Sequence, residues 1–251
     1  MCGIFGIVGS SANMRDRQHQ IDDMSKLLTH RGPDGTGTNF GKNFYFGHTR
    51  LAIIDLDNGV QPMMSDDKTI TLVFNGEIYN YLELRQDLVR QGIRFKTHSD
   101  TEVLLRCYEY YGKNFLEKLN GMFAFAIFDS KNNVFFAARD HFGIKPFYYT
   151  VLRDGSIVFA SEIKALFCIP EVKKSLDVSG FQEYLTFQFC LNDKTMFNGI
   201  QKLLPAHSLT LNLSNQNFKI SRWWCTSFDI DQSKKIDYFK DKLNYLIHDS
   251  I

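Results

Sequence analysis

The stretch that decides the predicted fold is Met122-Phe123-Ala124-Phe125-Ala126-Ile127-Phe128. In an extended chain successive side chains point to opposite faces, so Phe123, Phe125 and Ile127 share one face. The opposite face carries Ala124, Ala126 and Phe128. Both faces are apolar, which indicates a central strand that is covered on both sides. The run is far shorter than the roughly 20 residues that a membrane-spanning helix needs.

Shorter apolar runs before and after this strand predict further strands. They are residues 4–8, 44–46, 51–54, 70–74, 134–138, 147–151 and 157–160. Polar segments of hairpin type, residues 130–133 and 153–155, separate neighbouring runs. Strands that are joined by hairpins run antiparallel, so we expect antiparallel sheets.

Two helices are predicted from their first residues. Asn80-x-x-Glu83 and Ser99-x-x-Glu102 are both capping-box patterns, and each is followed by apolar residues on one face and by a glycine stop. We expect these helices to lie on the outer faces of the covered sheets. The predicted fold class is therefore α+β, a layered sandwich.

The composition of the chain changes near residue 213. Residues 212–217 are predicted to form a polar turn, and residues 218–224 a short extended piece. The segment from Ser233 to Ile251 has apolar residues at three- and four-residue steps, which predicts an amphipathic helix. We predict a domain over residues 1–212, with residues 213–251 as a linker and the first helix of a second, truncated domain.

Composition and charge exclude several classes of protein. The 251 residues carry a net charge of +1, with 44% hydrophobic and 23% charged residues, which is typical of a folded globular chain. A nucleic-acid-binding protein usually needs a basic stripe, so no nucleic-acid partner is expected. No basic segment precedes the first apolar run, so we expect no signal peptide and no membrane partner. We therefore expect a cytoplasmic location.

The five scattered cysteines include no C-x-x-C, which argues against a disulfide framework or a zinc site. Motifs for phosphate binding and for catalytic zinc are also absent.

Cys2 is the first candidate for chemistry, because only Met1 precedes it. The simplest interpretation is a chance cysteine near the terminus. Removal of Met1, however, would place a thiol and a free α-amino group on one residue. The pKa of a thiol is about 8.5 and that of an α-amine is about 7.7–8.0, so the amine suits the role of base near neutral pH. Gly3 would allow a substrate to approach closely.

Asn75 and Gly76 also allow two interpretations. An Asn-Gly pair is a common hairpin turn. Residues 78–91, however, have the pattern of a helix rather than that of a return strand. The alternative is an oxyanion hole, to which the Asn75 side-chain amide and the Gly76 backbone N–H would donate.

Arg50 and Asp100 are charged candidates at the ends of predicted elements. Arg50 is most simply a surface residue, although in a cleft its planar guanidinium would suit a substrate carboxylate. Asp100 lies in the first turn of a predicted helix, where the helix dipole alone accounts for a carboxylate. As a functional residue it would hold an ammonium group.

Eight segments, in order along the chain, resemble the glutamine amidotransferase domain of the glutamine-hydrolysing asparagine synthetases, a class II family. They are residues 1–6 (MCGIFG), 30–34 (HRGPD), 47–55 (GHTRLAIID), 74–80 (FNGEIYN), 98–102 (HSDTE), 120–126 (NGMFAFA), 138–146 (ARDHFGIKP) and 161–166 (SEIKAL). Each segment is weak alone, but the ordered set is specific and covers nearly all of residues 1–210.

The resemblance implies a fold and a set of residue roles. The implied fold is that of the N-terminal-nucleophile hydrolases, a four-layer αββα sandwich. Cys2 resembles the nucleophile with its α-amino group as base, and Asn75 and Gly76 resemble the oxyanion hole. The implied glutamine site consists of Arg50 for the α-carboxylate, Asp100 with Glu77 for the α-amino group, Leu51 and Ile53 along the pocket, and Asn75 and Gly76 at the reacting amide.

The resemblance also implies a partner. In the family, ammonia passes to a synthetase domain that activates aspartate with ATP. The S-G-G-x-D-S loop of that domain does not occur in these residues. ATP and Mg²⁺ are therefore expected only with that domain, and no metal or other cofactor is expected in this chain. The expected partners are glutamine, the synthetase domain or another protein packed on residues 233–251, and a second copy in a homodimer.

Two alternatives remain open. The apolar face of residues 233–251 would also fit a fragment that is retained for association or regulation, without turnover. Another class II amidotransferase, which directs ammonia to a sugar phosphate or a phosphoribosyl donor, would share these segments. The ammonia acceptor is chosen by residues outside this sequence, so only the resemblance favours the asparagine branch.

Overall fold

Two antiparallel sheets form the centre of the molecule. The computed structural model describes residues 1–9, 14–228 and 230–250. In chain order the strands are β1 (Gly3–Val8), β2 (Gly35–Phe40), β3 (Phe44–Arg50), β4 (Met63–Met64), β5 (Ile70–Ile78), β6 (Gly121–Asp129), β7 (Val134–Arg139), β8 (Tyr148–Val151), β9 (Ile157–Ala160), β10 (Gln201–Lys202), β11 (His207–Asn212) and β12 (Asn217–Arg222). The first sheet has the order β10-β8-β9-β1-β3-β2, and the second has the order β12-β11-β7-β6-β5-β4.

Helices cover the outer faces of the sheets. The α-helices are α1 (Gln18–Leu28), α2 (Tyr81–Arg90), α3 (Asp100–Tyr111), α4 (Ile163–Leu166), α5 (Val178–Phe187) and α6 (Ile236–Asp249). Short 3₁₀ segments occupy Met14–Arg17, Thr29–Arg31 and Gly112–Lys118. Among the described helices, none is long and apolar enough to cross a membrane.

The elements stack in four layers. Apolar side chains of both sheets fill the space between them, among them Phe46 of β3, Val73 of β5 and Leu209 of β11. The outer face of the first sheet packs against α1 and α4, through residues such as Ile21 and Leu166. The outer face of the second sheet packs against α2 and α3. The predicted αββα sandwich is confirmed.

Strand β6 has the position that its sequence predicts. Its phenylalanines 123 and 125, with Ile127, pack beneath α2 and α3. Its opposite face lies between the two sheets, where Phe128 stacks on Phe44 of β3 with ring centroids 4.8 Å apart. Ala124 and Ala126 on the same face leave room for the aromatic rings of the facing sheet.

Three predicted strands differ from the observed ones. The strand predicted over residues 44–46 continues to Arg50 as β3. Residues 51–54 form a loop, so the strand predicted there is wrong. β3 ends at Arg50, and side chains rather than a strand ladder hold the loop: the Ala52 N–H donates to the Asp34 carboxylate at 2.8 Å. The strand predicted over residues 70–74 continues to Ile78, so Asn75 and Gly76 lie inside β5 and pair with β6.

The two predicted capping boxes behave differently. The Ser99 hydroxyl accepts a hydrogen bond from the Glu102 N–H at 3.2 Å, as predicted, and caps α3. Asn80 makes no side-chain cap on α2. Its side chain instead binds the backbone of the loop before β6, because its Nδ2 donates to the Lys118 carbonyl and its Oδ1 accepts from the Asn120 N–H.

The C-terminal segments are a hairpin and an isolated helix. β12 pairs with β11 along its whole length, so this hairpin lies across the boundary predicted after residue 212. The division into two domains remains a prediction. The helix predicted from Ser233 to Ile251 is observed as α6, with no buried residue, and Ile251 lies outside the described residues.

Candidate active site

A cavity of about 170 Å³ opens where the two sheets meet the start of α3. The end of β3, the end of β5 and the residues just before β1 all contribute to its wall. The structure brings all eight predicted site residues around it, and they are Cys2, Arg50, Leu51, Ile53, Asn75, Gly76, Glu77 and Asp100. Residues that are distant in sequence thus share one small space.

Cys2 lies against the loop that follows β3. The Leu51 N–H donates to the Cys2 Sγ at 3.3 Å. Burial raises the pKa of the thiol, while the Leu51 hydrogen bond and the positive amine of Met1, which the structure retains, act in the opposite direction. A side chain at Gly3 would come within 2.5 Å of the Thr49 hydroxyl, so this glycine allows β1 to pack closely on β3.

Asn75 and Gly76 face the cavity from inside β5. Asn75 is fully buried, and neither its side-chain oxygen nor its nitrogen has a hydrogen-bond partner among the described residues. Such a buried amide costs about 1–3 kcal/mol of folding free energy. A side chain on Gly76 would come within 2.2 Å of the Met122 carbonyl of the neighbouring strand. Only glycine therefore fits beside β6 at this position.

Glu77 and Asp100 place two carboxyl groups on the cavity wall. The Asp100 Oδ2 accepts a hydrogen bond from the Ile78 N–H at 3.1 Å. Burial raises the pKa of Asp100 to about 6, although backbone N–H groups oppose the rise. Burial and then the charge of Asp100 raise the pKa of Glu77 to about 7. The helix dipole would not require Asp100 to be buried, so its position indicates a further use.

Arg50 connects the cavity to the loop of residues 51–59. Its terminal nitrogens donate to the carbonyls of Leu56 and Asp55, both at 2.7 Å. A side chain on Gly59 would come within 2.8 Å of the Arg50 guanidinium. The Nε–H has no partner among the described residues, so part of the guanidinium remains available to a ligand.

Arg31 holds the backbone of Cys2, a contact that was not predicted because the segment of Arg31 has the pattern of a turn. Its Nε donates to the Cys2 carbonyl at 3.0 Å, and its Nη1 donates to the Glu162 carboxylate at 3.0 Å. Burial would raise the pKa of Glu162, but hydrogen bonds from Arg31, His30 and Lys164 lower it to about 2. The backbone beside Cys2 is thus held by an ion-paired cluster.

Two further cavity residues, Gln61 and Lys145, were also missed. Gln61 is buried, and its side chain accepts from the Phe74 N–H at 2.6 Å and donates to the Thr101 hydroxyl at 3.2 Å. It therefore ties the strand before Asn75 to α3. Lys145, in the loop after β7, is also buried and lines the cavity. Its segment of sequence resembled the family, but nothing in its spacing pointed to the cavity.

The comparisons with known proteins place the chain among the glutamine amidotransferases. The family model "Glutamine amidotransferase domain" matches residues 1–224, so the chain belongs to this family.

The chain is similar to several asparagine synthetases. Asparagine synthetase [glutamine-hydrolyzing] 1 of Bacillus subtilis is 41% identical over 213 residues, which cover 84% of this chain and 33% of that protein. Asparagine synthetase [glutamine-hydrolyzing] 3 of the same organism is 39% identical over 245 residues, covering 96% of this chain and 39% of that protein. The Arabidopsis thaliana asparagine synthetase 3 is 45% identical over 166 residues, covering 66% of this chain and 28% of the plant protein. The chain thus spans about a third of the length of these curated relatives.

Two solved structures share the fold. The glutamine phosphoribosylpyrophosphate amidotransferase of B. subtilis has a TM-score of 0.65 and 23% identity, covering 90% of this chain and 50% of its own. An allosteric regulatory enzyme of purine biosynthesis has a TM-score of 0.64 and 24% identity, with the same coverage. These similarities agree with the predicted sandwich of the N-terminal-nucleophile hydrolase type.

Proposed function

We propose that the chain hydrolyses the side-chain amide of glutamine to glutamate and ammonia. The observation that carries this proposal is the buried Asn75 amide without a partner, in the same cavity as the Cys2 thiol. A buried donor that is paired with no described residue is available to a developing oxyanion. The two carboxyl groups and Arg50 on the same wall suit the two charges of a free amino acid.

In the proposed mechanism Cys2 is the nucleophile and its α-amino group is the base. The thiol loses its proton to the amine, and the sulfur attacks the amide carbon to give a tetrahedral oxyanion. The Asn75 amide and the Gly76 N–H donate to that oxygen. The amine then protonates the nitrogen, the C–N bond breaks, and ammonia leaves. A γ-glutamyl thioester remains, and water hydrolyses it to glutamate and the free thiol.

The proposed substrate contacts follow from charge. Arg50 would bind the α-carboxylate with the guanidinium N–H groups that the loop leaves available. Asp100, with Glu77, would bind the α-ammonium group. Leu51 and Ile53 would line the pocket beside the aliphatic part of the substrate.

The test is ammonia release from glutamine by the chain without Met1. We expect release with wild-type protein and none above background with Cys2→Ala. A control, Cys225→Ala, removes an exposed cysteine that does not line the cavity and should keep full activity. Full activity of Cys2→Ala would reject the nucleophile. If Met1 stays in place the base is lost, so protein that retains Met1 should be inactive.

We further propose that the ammonia serves asparagine synthesis in a longer parent protein. The similarity to asparagine synthetases favours aspartate, activated by ATP with Mg²⁺ on a separate domain, over a sugar phosphate or phosphoribosyl acceptor. In this proposal residues 1–212 form the glutaminase domain, and residues 213–251 lead into the synthetase domain. Hydrolysis of glutamine needs no cofactor, and the reaction takes place in the cytoplasm. Sequencing about 60 codons downstream of Ile251 tests the parent, because an S-G-G-x-D-S loop is expected there.

A second candidate function is association without turnover. It is favoured by α6, whose apolar residues, including Ile236, Leu243 and Ile247, are exposed. Such a face usually has a partner, which would be the synthetase domain, another protein or a second copy in a homodimer. A monodisperse monomer in size-exclusion chromatography would count against this function. Ammonia release at an enzymatic rate would show that association is not the only role.

A further inference from the structure

Lys145 is a largely buried lysine on the wall of the cavity. It is 5% exposed and lines the cavity beside Cys2 and Glu77. Its backbone is fixed, because its N–H donates to the Asp140 carboxylate at 3.0 Å and its carbonyl accepts from the Arg139 Nε at 2.6 Å. Its ammonium group makes neither a hydrogen bond nor an ion pair with any described residue.

Burial of an unpaired charge is costly, so a buried ammonium is expected to have a compensating use. The charges that act on Lys145 come from several elements. Glu77 at the end of β5, Cys2 before β1 and Asp140 after β7 attract it, whereas Arg31 repels it. Asp100, Arg50 and Met1, which carries the N-terminal amine, also line the cavity.

Two arginines near Cys2 already donate to other groups of the protein. Arg50 donates to carbonyl groups of the loop of residues 51–59. Arg31 donates to the Cys2 carbonyl and to Glu162. Lys145 differs from these arginines because none of its ammonium N–H groups is engaged by a described residue, whereas each arginine has only part of its guanidinium unpaired.

We propose that Lys145 is a positioning residue that offsets the negative charge of Glu77 at the Cys2 sulfur, so that a reactive thiolate forms beside a carboxylate. Glu77 must be ionised to hold a substrate ammonium group, yet its charge opposes ionisation of Cys2. A neighbouring ammonium resolves the conflict because it favours both anions. Consistent with this, Lys145 lowers the pKa of Glu77, against burial and Asp100, which raise it.

The test measures the reactivity of Cys2 rather than turnover. The chain without Met1 is treated with iodoacetamide, a neutral reagent, and mass spectrometry follows alkylation of its N-terminal peptide from pH 6 to 9. In Lys145→Met we expect alkylation at pH 7 to be about threefold to tenfold slower, which corresponds to a rise of about 0.5–1 in the thiol pKa. Lys131→Met, in the turn between β6 and β7, removes a lysine that does not line the cavity and should leave the rate unchanged.

A charge-balance series sharpens the test. In Glu77→Gln, Cys2 should be alkylated at least as fast as in wild type, because the positive charge of Lys145 remains while the negative charge of Glu77 is gone. The double variant should return to within about twofold of wild type, and Lys145→Arg should keep the wild-type rate. The proposal is overturned if Lys145→Met alkylates like wild type, or if the double variant is as slow as Lys145→Met.

Two outcomes distinguish a failure of this proposal from a folding defect and from a failure of the proposed function. If circular dichroism shows that Lys145→Met does not fold, the alkylation rate of Glu77→Gln alone tests the proposal. Slower alkylation of Cys2 in Glu77→Gln than in wild type overturns it. The inference rests on the proposed function only for the role of Glu77 in substrate binding. Absence of ammonia release by wild-type protein would remove glutamine hydrolysis, whereas the alkylation series would still decide how Lys145 acts on Cys2.

Discussion

The cavity has two halves that are built in different ways. The strand half, Asn75 and Gly76, lies in β5, where backbone pairing with β6 fixes each residue. The loop half, residues 51–59, follows β3 without a ladder and is held by a few bonds, such as those from Arg50 to the loop carbonyls and from the His98 N–H to Asp55.

The difference matches the tasks proposed for the two halves. Stabilising an oxyanion requires donors at fixed positions, and a displacement of about 1 Å can cost about a hundredfold in rate. Holding the charged end of an amino acid tolerates more movement, because ionic attraction falls slowly with distance. Changes in the strand half should therefore act on kcat, and changes in the loop half on KM.

The largest effect is expected for Gly76→Ala. The new Cβ would lie 2.2 Å from the Met122 carbonyl, so β5 and β6 must separate. We expect the free energy of unfolding to fall by about 1–3 kcal/mol and kcat to fall by at least about a hundredfold. Gly35→Ala is the matched control, because nothing lies within 4 Å of its Cβ. The free energy of unfolding is measured with denaturant, and kcat is measured from ammonia release, for both variants. Equal values for Gly76→Ala and Gly35→Ala would argue against a rigid strand half.

Asn75→Ala should reduce kcat by about 10²–10³, because one oxyanion donor is removed. Its stability should not fall, because the substitution removes the cost of about 1–3 kcal/mol of a buried unpaired amide, which offsets the loss of packing. Steady-state kinetics and thermal unfolding of the same preparation give both values. A loss of activity below threefold would reject the oxyanion role, and a large loss of stability would indicate a structural one.

The third prediction concerns acid pH. Glu77 and Asp100 have pKa values raised to about 7 and about 6, so both become protonated as the pH falls through this range. Because a neutral carboxyl group holds an ammonium group weakly, kcat/KM should fall below pH 7 and more steeply below pH 6. Asp100→Asn should raise KM by about 10- to 100-fold with kcat within threefold. In this variant the fall of kcat/KM on the acid side should also move to lower pH, because the negative charge of Asp100 no longer raises the pKa of Glu77. An unchanged pH profile of kcat/KM would disprove the electrostatic coupling between Asp100 and Glu77.

The smallest effect is expected for Asp55→Ala in the loop half. Its carboxylate accepts from the His98 N–H at 2.7 Å and from the Asn58 side chain at 3.0 Å, which ties the loop to the start of α3. Loss of about 1 kcal/mol of hydrogen bonding should raise KM about fivefold, with kcat within twofold. Asp57→Ala, an exposed neighbour, should leave both constants unchanged. A fall in kcat larger than the rise in KM would contradict the division between the halves.

The sequence was a good guide where a pattern is local. The alternation in β6 and the Ser99 cap both follow from neighbours within a few residues, and both are observed. It was a poor guide where long-range contacts decide. Residues 51–54 have strand-like composition, yet the distant Asp34 carboxylate accepts from the Ala52 N–H and holds this backbone in a loop. β2 is GTGTNF, which has too little apolar character to predict a strand before its partner β3 is known.

The sequence by itself determined the covered central strand, the layered fold class and the identity of the eight candidate residues. Periodicity and motif order are properties of the chain, so they can be read without coordinates. Only the tertiary structure decided that these residues share one cavity, that Asn75 is buried without a partner, and that Arg31 and Lys145 flank Cys2. Burial and charge coupling depend on which distant segments meet, and packing of the two sheets settles that.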